Sequence, residues 1–104
     1  MKLKDAAQII KPRYDAATDI MDEIVREEIF GEARKQAFAT FDAIKAIYAY
    51  AKPGNPAVAA TRTFEDVIDF AKGFIAECEE YEDDDYSTIE RNAMQGILDL
   101  LMDA

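Results

Sequence analysis

The sequence contains no histidine. Histidine is the side chain that most often carries protons near neutral pH, activates serine or cysteine nucleophiles, and binds zinc or iron. Its absence excludes the catalytic and metal sites that depend on it. The single cysteine, Cys78, cannot form a disulfide within the chain, and its glutamate neighbours are expected to raise the pKa of its thiol and suppress its reactivity.

Long hydrophobic runs are also missing. No stretch approaches the roughly eighteen apolar residues of a membrane-spanning helix, and the lysines near the N-terminus are not followed by the apolar core of a signal peptide. We therefore expect a cytoplasmic protein. The 104 residues are 50% hydrophobic and 33% charged, which predicts a single globular domain over residues 1–104.

Apolar residues in the first half recur every three or four positions, the pattern of amphipathic helices. The first predicted helix runs from Arg13 to Phe30, with Pro12 in its first turn and Gly31 as its stop. The segment from Leu3 to Ile10 has the same period and could form a short helix of its own. The second predicted helix runs from Glu32 to Ala51 and ends at a proline-rich loop at 52–58.

Two further helices are predicted in the second half. Thr63 precedes the third, which extends from Phe64 to Tyr81. Ser87 and Glu90 have the spacing of a capping box, which predicts that the fourth helix begins at Ser87. No segment shows the alternation of a strand, so the predicted fold class is all-α, a compact bundle of four principal helices.

The negative charge is confined to the second half of the chain. Residues 1–52 contain nine basic and nine acidic side chains, whereas residues 53–104 contain three basic and thirteen acidic ones and hold the whole net charge of −10. Eight carboxylates fall within residues 77–90. This excess disfavours direct binding to nucleic acid and to an anionic membrane.

The carboxylates of residues 77–90, called here the acidic run, are expected to lower the stability of the fold. Carboxylates at the end of the third helix oppose the helix dipole and repel one another, and such local conflicts often mark functional sites. A solvated surface that keeps the protein soluble is the alternative explanation. The predicted partner-binding residues are Glu77, Glu79, Glu80, Tyr81, Glu82, Asp83, Asp84, Asp85, Tyr86 and Glu90. No catalytic residue, metal ligand or cofactor is predicted.

A calcium loop does not fit the acidic run. An EF-hand loop that begins at Asp83 needs a glycine at position 88 and a glutamate at position 94. The sequence has Thr88 and Met94 there. Both diagnostic positions therefore fail.

Magnesium chemistry is a further alternative. Small all-helical nucleoside triphosphate pyrophosphohydrolases hold metal ions between acidic residues on two facing helices. Glu23 and Glu27 with Asp66 and Asp69 could form such a set, although the family's order of adjacent glutamates is absent. The sequence shows no lysine-rich pocket for a triphosphate. A magnesium-dependent nucleotide pyrophosphohydrolase is therefore an alternative that the sequence favours less than a non-enzymatic protein.

A rigid helical surface with dense carboxylates is similar in its electrostatics to the phosphate array of a nucleic acid. In charge and size the chain resembles phage-encoded inhibitors of restriction and CRISPR defence, which are small, acidic and helical. That resemblance implies a non-enzymatic inhibitor that docks on a basic, nucleic-acid-binding partner protein, and it implies no particular residues. A structural or scaffolding adaptor is the second alternative, and both a monomer and a homodimer are compatible with the sequence.

Overall fold

The computed structural model describes residues 1–81 and 83–104. All regular structure in this part of the chain is helical: α1 (Leu3–Arg26), α2 (Glu32–Ala51), α3 (Pro56–Thr61), α4 (Phe64–Glu79) and α5 (Asp85–Met102). The helices pack as a bundle of 41 × 30 × 25 Å. The predicted all-α bundle is confirmed, with four long helices and one short one.

Helix α2 lies at the centre of the packing. It contacts α1, α4 and α5, and the most extensive helix pairs are α1 with α2 and α4 with α5. The largest fully buried side chains are Ile10, Ile47, Val67, Met94, Ile97 and Leu101. Each such burial contributes roughly 1.5 to 3 kcal/mol relative to exposure, so this shared core holds the four long helices together.

The first helix differs from the predicted one at both ends. It is continuous from Leu3 to Arg26, so the predicted break at Pro12 is wrong. Proline removes one backbone donor from a helix, but Pro12 is exposed, and the carbonyl four residues before it can turn to water. The buried residues of α1 keep one helical period before and after the proline, so they lie on one face: Leu3, Ala6, Ile10, Ala17 and Ile24. Burial of this common stripe favours one helix over two.

The turn between α1 and α2 begins before the predicted stop. Helix α1 ends at Arg26, and Glu28 adopts a left-handed backbone conformation with φ 53°. Gly31 is not the stop of α1 but the residue that precedes α2, with φ 77°. Glycine adopts this conformation without the steric cost of a Cβ, which explains its place at the entry to α2.

The proline-rich segment contains a short helix. Pro56 occupies the first turn of α3, and the Asn55 side chain accepts a hydrogen bond of 2.9 Å from the backbone N–H of Ala57. Proline at this position costs no helical hydrogen bond. The prediction of an uninterrupted loop over 52–58 is therefore wrong at its end.

The start of α4 is as predicted. The Thr63 hydroxyl accepts from the Asp66 N–H at 3.1 Å, and the Asp66 carboxylate accepts from the Thr63 N–H at 2.8 Å. This reciprocal pair satisfies two backbone donors at the helix start. Helix α4 ends at Glu79, and Tyr81 lies beyond it with 59% of its surface exposed.

No helix in the described part of the chain has both the length and the apolar character needed to cross a membrane.

Candidate partner-binding site

The predicted partner-binding residues lie at one end of the bundle, where α4 ends and α5 begins. We call residues 77–81 and 83–90 the acidic end; Glu82 lies outside the described residues. Within it, the side chains of Glu77, Glu79, Glu80, Asp83 and Asp85 are exposed. The start of α2 lies at the same end, because the Lys35 ammonium is 3.7 Å from the Asp85 carboxylate.

Asp84 has a structural part at this end. Its carboxylate accepts a hydrogen bond of 3.1 Å from the backbone N–H of Tyr86 and another of 3.1 Å from the Ser87 hydroxyl. Asp84 is therefore the residue that caps α5, and the predicted capping box of Ser87 and Glu90 is wrong. Aspartate caps a helix as well as serine does, and Asp84 precedes Ser87 in the chain. Helix α5 therefore begins almost one turn earlier than predicted.

Replacement of this cap gives the first prediction. We expect Asp84→Ala to lower the free energy of unfolding by about 1 kcal/mol, because the first turn of α5 loses a partner for its N–H group. Asp84→Asn keeps an acceptor and should change it by only a few tenths of a kcal/mol, which separates the cap from the charge. Urea denaturation of both variants measures the difference. A larger loss in Ser87→Ala than in Asp84→Ala would contradict this assignment.

Tyr86 and Glu90 are the half-buried members of the site. The Tyr86 hydroxyl donates a hydrogen bond to the Asp42 carboxylate on α2, which ties α5 to the centre of the bundle. Burial and the Asp42 carboxylate raise the pKa of Tyr86 above its ordinary value. Burial, followed by the charges of Asp42 and Asp84, raises the pKa of Glu90. Partial burial and two neighbouring carboxylates thus disfavour the ionised form of Glu90.

A small depression opens beside Glu90. It has a volume of about 230 Å³ and is lined by Phe74, Glu77, Cys78, Tyr81, Ser87 and Glu90. This volume is below the roughly 300 to 1,000 Å³ of typical small-molecule sites and suits a single inserted side chain. Two carboxylates and two aromatic residues in one depression favour a cation, since carboxylates and aromatic rings both attract cations.

Basic residues offset little of this charge. Among the described residues, the ion pairs at this end are Lys35 with Glu32 and Asp85, and Arg91 with Glu79 at 3.9 Å. The paired carboxylates are more than half exposed, and such surface pairs contribute roughly 0 to 1 kcal/mol. The acidic end therefore presents a net negative field to solvent.

Cys78 is buried in this region with 8% of its surface exposed. Burial raises the pKa of its thiol, and the charges of Glu90 and Glu77 raise it further. The predicted direction is correct, but desolvation rather than the neighbouring glutamates is the largest cause. A protonated thiol of this kind is a poor nucleophile.

The carboxylates considered for magnesium are not brought together. Asp66 lies in the first turn of α4 and accepts the Thr63 N–H, and Thr63 and Leu3 line a common cleft at the start of α1. Glu23 lies twenty residues after Leu3, about 30 Å along α1. The described residues contain no group of three or more His, Cys, Asp or Glu side chains placed to hold a metal ion.

Sequence reasoning missed a basic cleft at the opposite end of the bundle. Five basic residues line it, although no lysine-rich pocket was expected: Lys2, Lys4, Lys11, Lys52 and Arg62. Lys2 directly precedes α1, and Lys4 and Lys11 lie within it. Lys52 and Arg62 directly follow α2 and α3, so only Lys2 and Lys4 are near neighbours in the chain. A scan for charge runs cannot detect residues that folding collects from such distant positions.

The two ends of the bundle thus carry opposite charges. Lys35, at the acidic end, and Lys52, which directly follows α2 in the basic cleft, are seventeen positions apart, or about 25 Å along the helix axis. This distance exceeds the screening length of about 10 Å at 0.1 M salt, so the fields of the two ends are largely independent of each other. Comparison of the chain with protein-family models, with curated proteins and with solved structures finds no match.

Proposed function

We propose that this protein is a non-enzymatic interaction protein whose acidic end docks on a basic, nucleic-acid-binding partner protein and competes there with nucleic acid. The observation that carries the proposal is the depression lined by Glu77, Glu90, Phe74 and Tyr81 within a field of exposed carboxylates. This depression could bind one basic side chain, whereas a surface that only keeps the protein soluble needs no such pocket.

The chemistry of the depression favours arginine as the inserted residue. A guanidinium can bond a carboxylate through two parallel N–H groups and can stack on an aromatic ring, whereas an ammonium is a point charge. Arginine is also the basic residue that most often dominates interface energetics. In a nucleic-acid-binding protein the same side chains contact phosphates, so an occupied depression would withdraw one of them from nucleic acid.

The electrostatic surroundings of Glu90 also favour the binding of a cation. Burial and the charges of Asp42 and Asp84 disfavour its ionised form in the free protein. An arriving cation would relieve that repulsion, so part of the electrostatic conflict within the acidic end would be released on docking. The exposed carboxylates around it would steer the partner and speed association at low salt.

A variant that removes the exposed charges tests this proposal. We expect a variant with five substitutions to lose capture of the partner from a nuclease-treated lysate of the source cells. The substitutions are Glu77→Gln, Glu79→Gln, Glu80→Gln, Asp83→Asn and Asp85→Asn. Asp84 is left in place because it caps α5. Thermal melting should show equal or slightly higher stability, because like charges at helical spacing repel each other. Capture is measured at two salt concentrations, since steering by exposed charge weakens with salt.

A control variant removes the same charge elsewhere: Asp19→Asn, Asp22→Asn, Glu23→Gln, Glu65→Gln and Asp69→Asn, all at exposed positions. It should capture the partner as the parent does. The captured protein must also release its nucleic acid when the parent chain is added. Equal capture by both variants, or a partner that binds nucleic acid unchanged, would overturn the proposal.

A further inference from the structure

The basic cleft opposite the acidic end has the size of a small-molecule site. It lies where α1 begins and α2 ends, beside α3, and its volume is about 680 Å³. Sites for small organic ligands typically occupy roughly 300 to 1,000 Å³. Five of the protein's twelve basic residues line it, and none of the described carboxylates does.

Most of these cations are not neutralised within the protein. Among the described residues, Lys2, Lys4 and Lys52 form no ion pair, whereas Lys11 pairs with Asp15 at 3.1 Å. Five positive groups around one cleft repel one another, and a bound anion would remove that repulsion. A ligand with several negative charges fits this arrangement better than one with a single charge.

One of the cations is held in place by the fold. The Arg62 guanidinium donates a hydrogen bond of 2.8 Å to the Tyr50 carbonyl and lies 3.7 Å from the centre of the Tyr50 ring. Tyr50 itself does not line the cleft. The lysines that form no ion pair among the described residues, Lys2, Lys4 and Lys52, therefore supply most of the positive charge available to an anion.

The floor of the cleft is apolar. Leu3, Ala7, Tyr48, Ala51 and Ala59 line it, and Leu3 and Ala51 are almost completely buried. The Tyr48 ring is stacked on Tyr14 with 4.6 Å between ring centres, which fixes its orientation. Small alanine side chains leave room above this floor, so a flat or apolar group can lie on it while charged groups reach the lysines.

We infer that the basic cleft binds a small organic polyanion, a molecule with two or more phosphate charges joined to a flat or apolar group, the class to which nucleotides belong. This site is separate from the acidic end and does not depend on its function. An extended polyanion such as DNA fits less well, because the net charge of −10 over the rest of the molecule would repel it beyond the cleft.

Calorimetric titration with three probes tests the inference: ATP without metal, adenosine, and inorganic triphosphate. ATP should bind more tightly than either of its parts, because only ATP uses the cations and the apolar floor together. Amide chemical shifts on ATP addition should change at Ala7, Tyr48 and Ala59. Triphosphate that binds as tightly as ATP would mean an adventitious ion only, and absence of ATP binding would also overturn the inference.

Matched variants locate the binding. We expect the pair Lys4→Gln and Lys52→Gln to weaken ATP binding at least roughly tenfold, since a hydrogen bond between charged groups contributes more than a neutral one. The pair Lys45→Gln and Lys72→Gln removes the same charge from exposed positions outside the cleft and should leave the affinity within about twofold. Circular dichroism confirms that each variant folds. An equal loss of ATP affinity in both pairs would overturn the assignment of the site. The acidic-end variant with five substitutions should bind ATP no less tightly than the parent.

Discussion

Ile47→Ala is expected to lower the free energy of unfolding by about 3 kcal/mol, within the range of roughly 2 to 5 kcal/mol for this change in a packed core. Ile47 lies on the central helix α2 and has no exposed surface. It belongs to a core to which all four long helices contribute, so a cavity there weakens their common packing. The change is measured as a shift of the urea midpoint at constant slope.

Ile20→Ala is the matched control, because it deletes the same atoms from α1 at a position that is 54% exposed. We expect its effect to stay within about 0.5 kcal/mol. Similar losses at both positions would show that α2 is not the centre of the core. A loss confined to Ile47→Ala supports the packing described above.

Pro12→Ala should have the second largest effect, and in the opposite direction. Pro12 lies inside α1 and has no N–H to donate to the carbonyl four residues earlier. Alanine restores that hydrogen bond, so we expect the free energy of unfolding to rise by roughly 2 kcal/mol, somewhat below the full difference between proline and alanine in a helix interior. Thermal and urea denaturation both measure this gain.

Pro56→Ala is its control, because Pro56 stands in the first turn of α3, where proline costs no hydrogen bond. This change should leave stability the same or lower it slightly, because the unfolded chain becomes more flexible. If Pro12→Ala instead behaved like Pro56→Ala, the chain would contain two helices that meet at Pro12, as the sequence pattern alone suggests.

The helix ends show how far sequence rules reach. Helix α2 has the predicted range Glu32–Ala51, because its apolar spacing is regular and prolines follow it closely. The start of α4 after Thr63 is also confirmed, since Thr63 is followed three residues later by Asp66, which completes a capping box. The start of α5 was misplaced because Asp83, Asp84, Asp85 and Ser87 are all acceptable caps. Local rules decide a boundary only where one candidate is clearly better than its neighbours.

The acidic end was located from sequence, but its organisation was not. Consecutive carboxylates stay close in any fold, so their accumulation at residues 77–90 was evident without coordinates. The sequence did not distinguish the cap Asp84 from exposed Asp83 and Asp85. It also could not show that Glu77 and Glu90, on different helices, line one depression.

The sequence by itself determined the helical class, the regular helix α2, the absence of histidine chemistry and the concentration of negative charge in the second half. Each of these follows from composition or from a period of a few residues along the chain. Only the tertiary structure decided that Lys4, Lys52 and Arg62 share a cleft and that α1 continues through Pro12. Both depend on contacts between residues that are distant in the chain, and such contacts form only when the helices bury a common core.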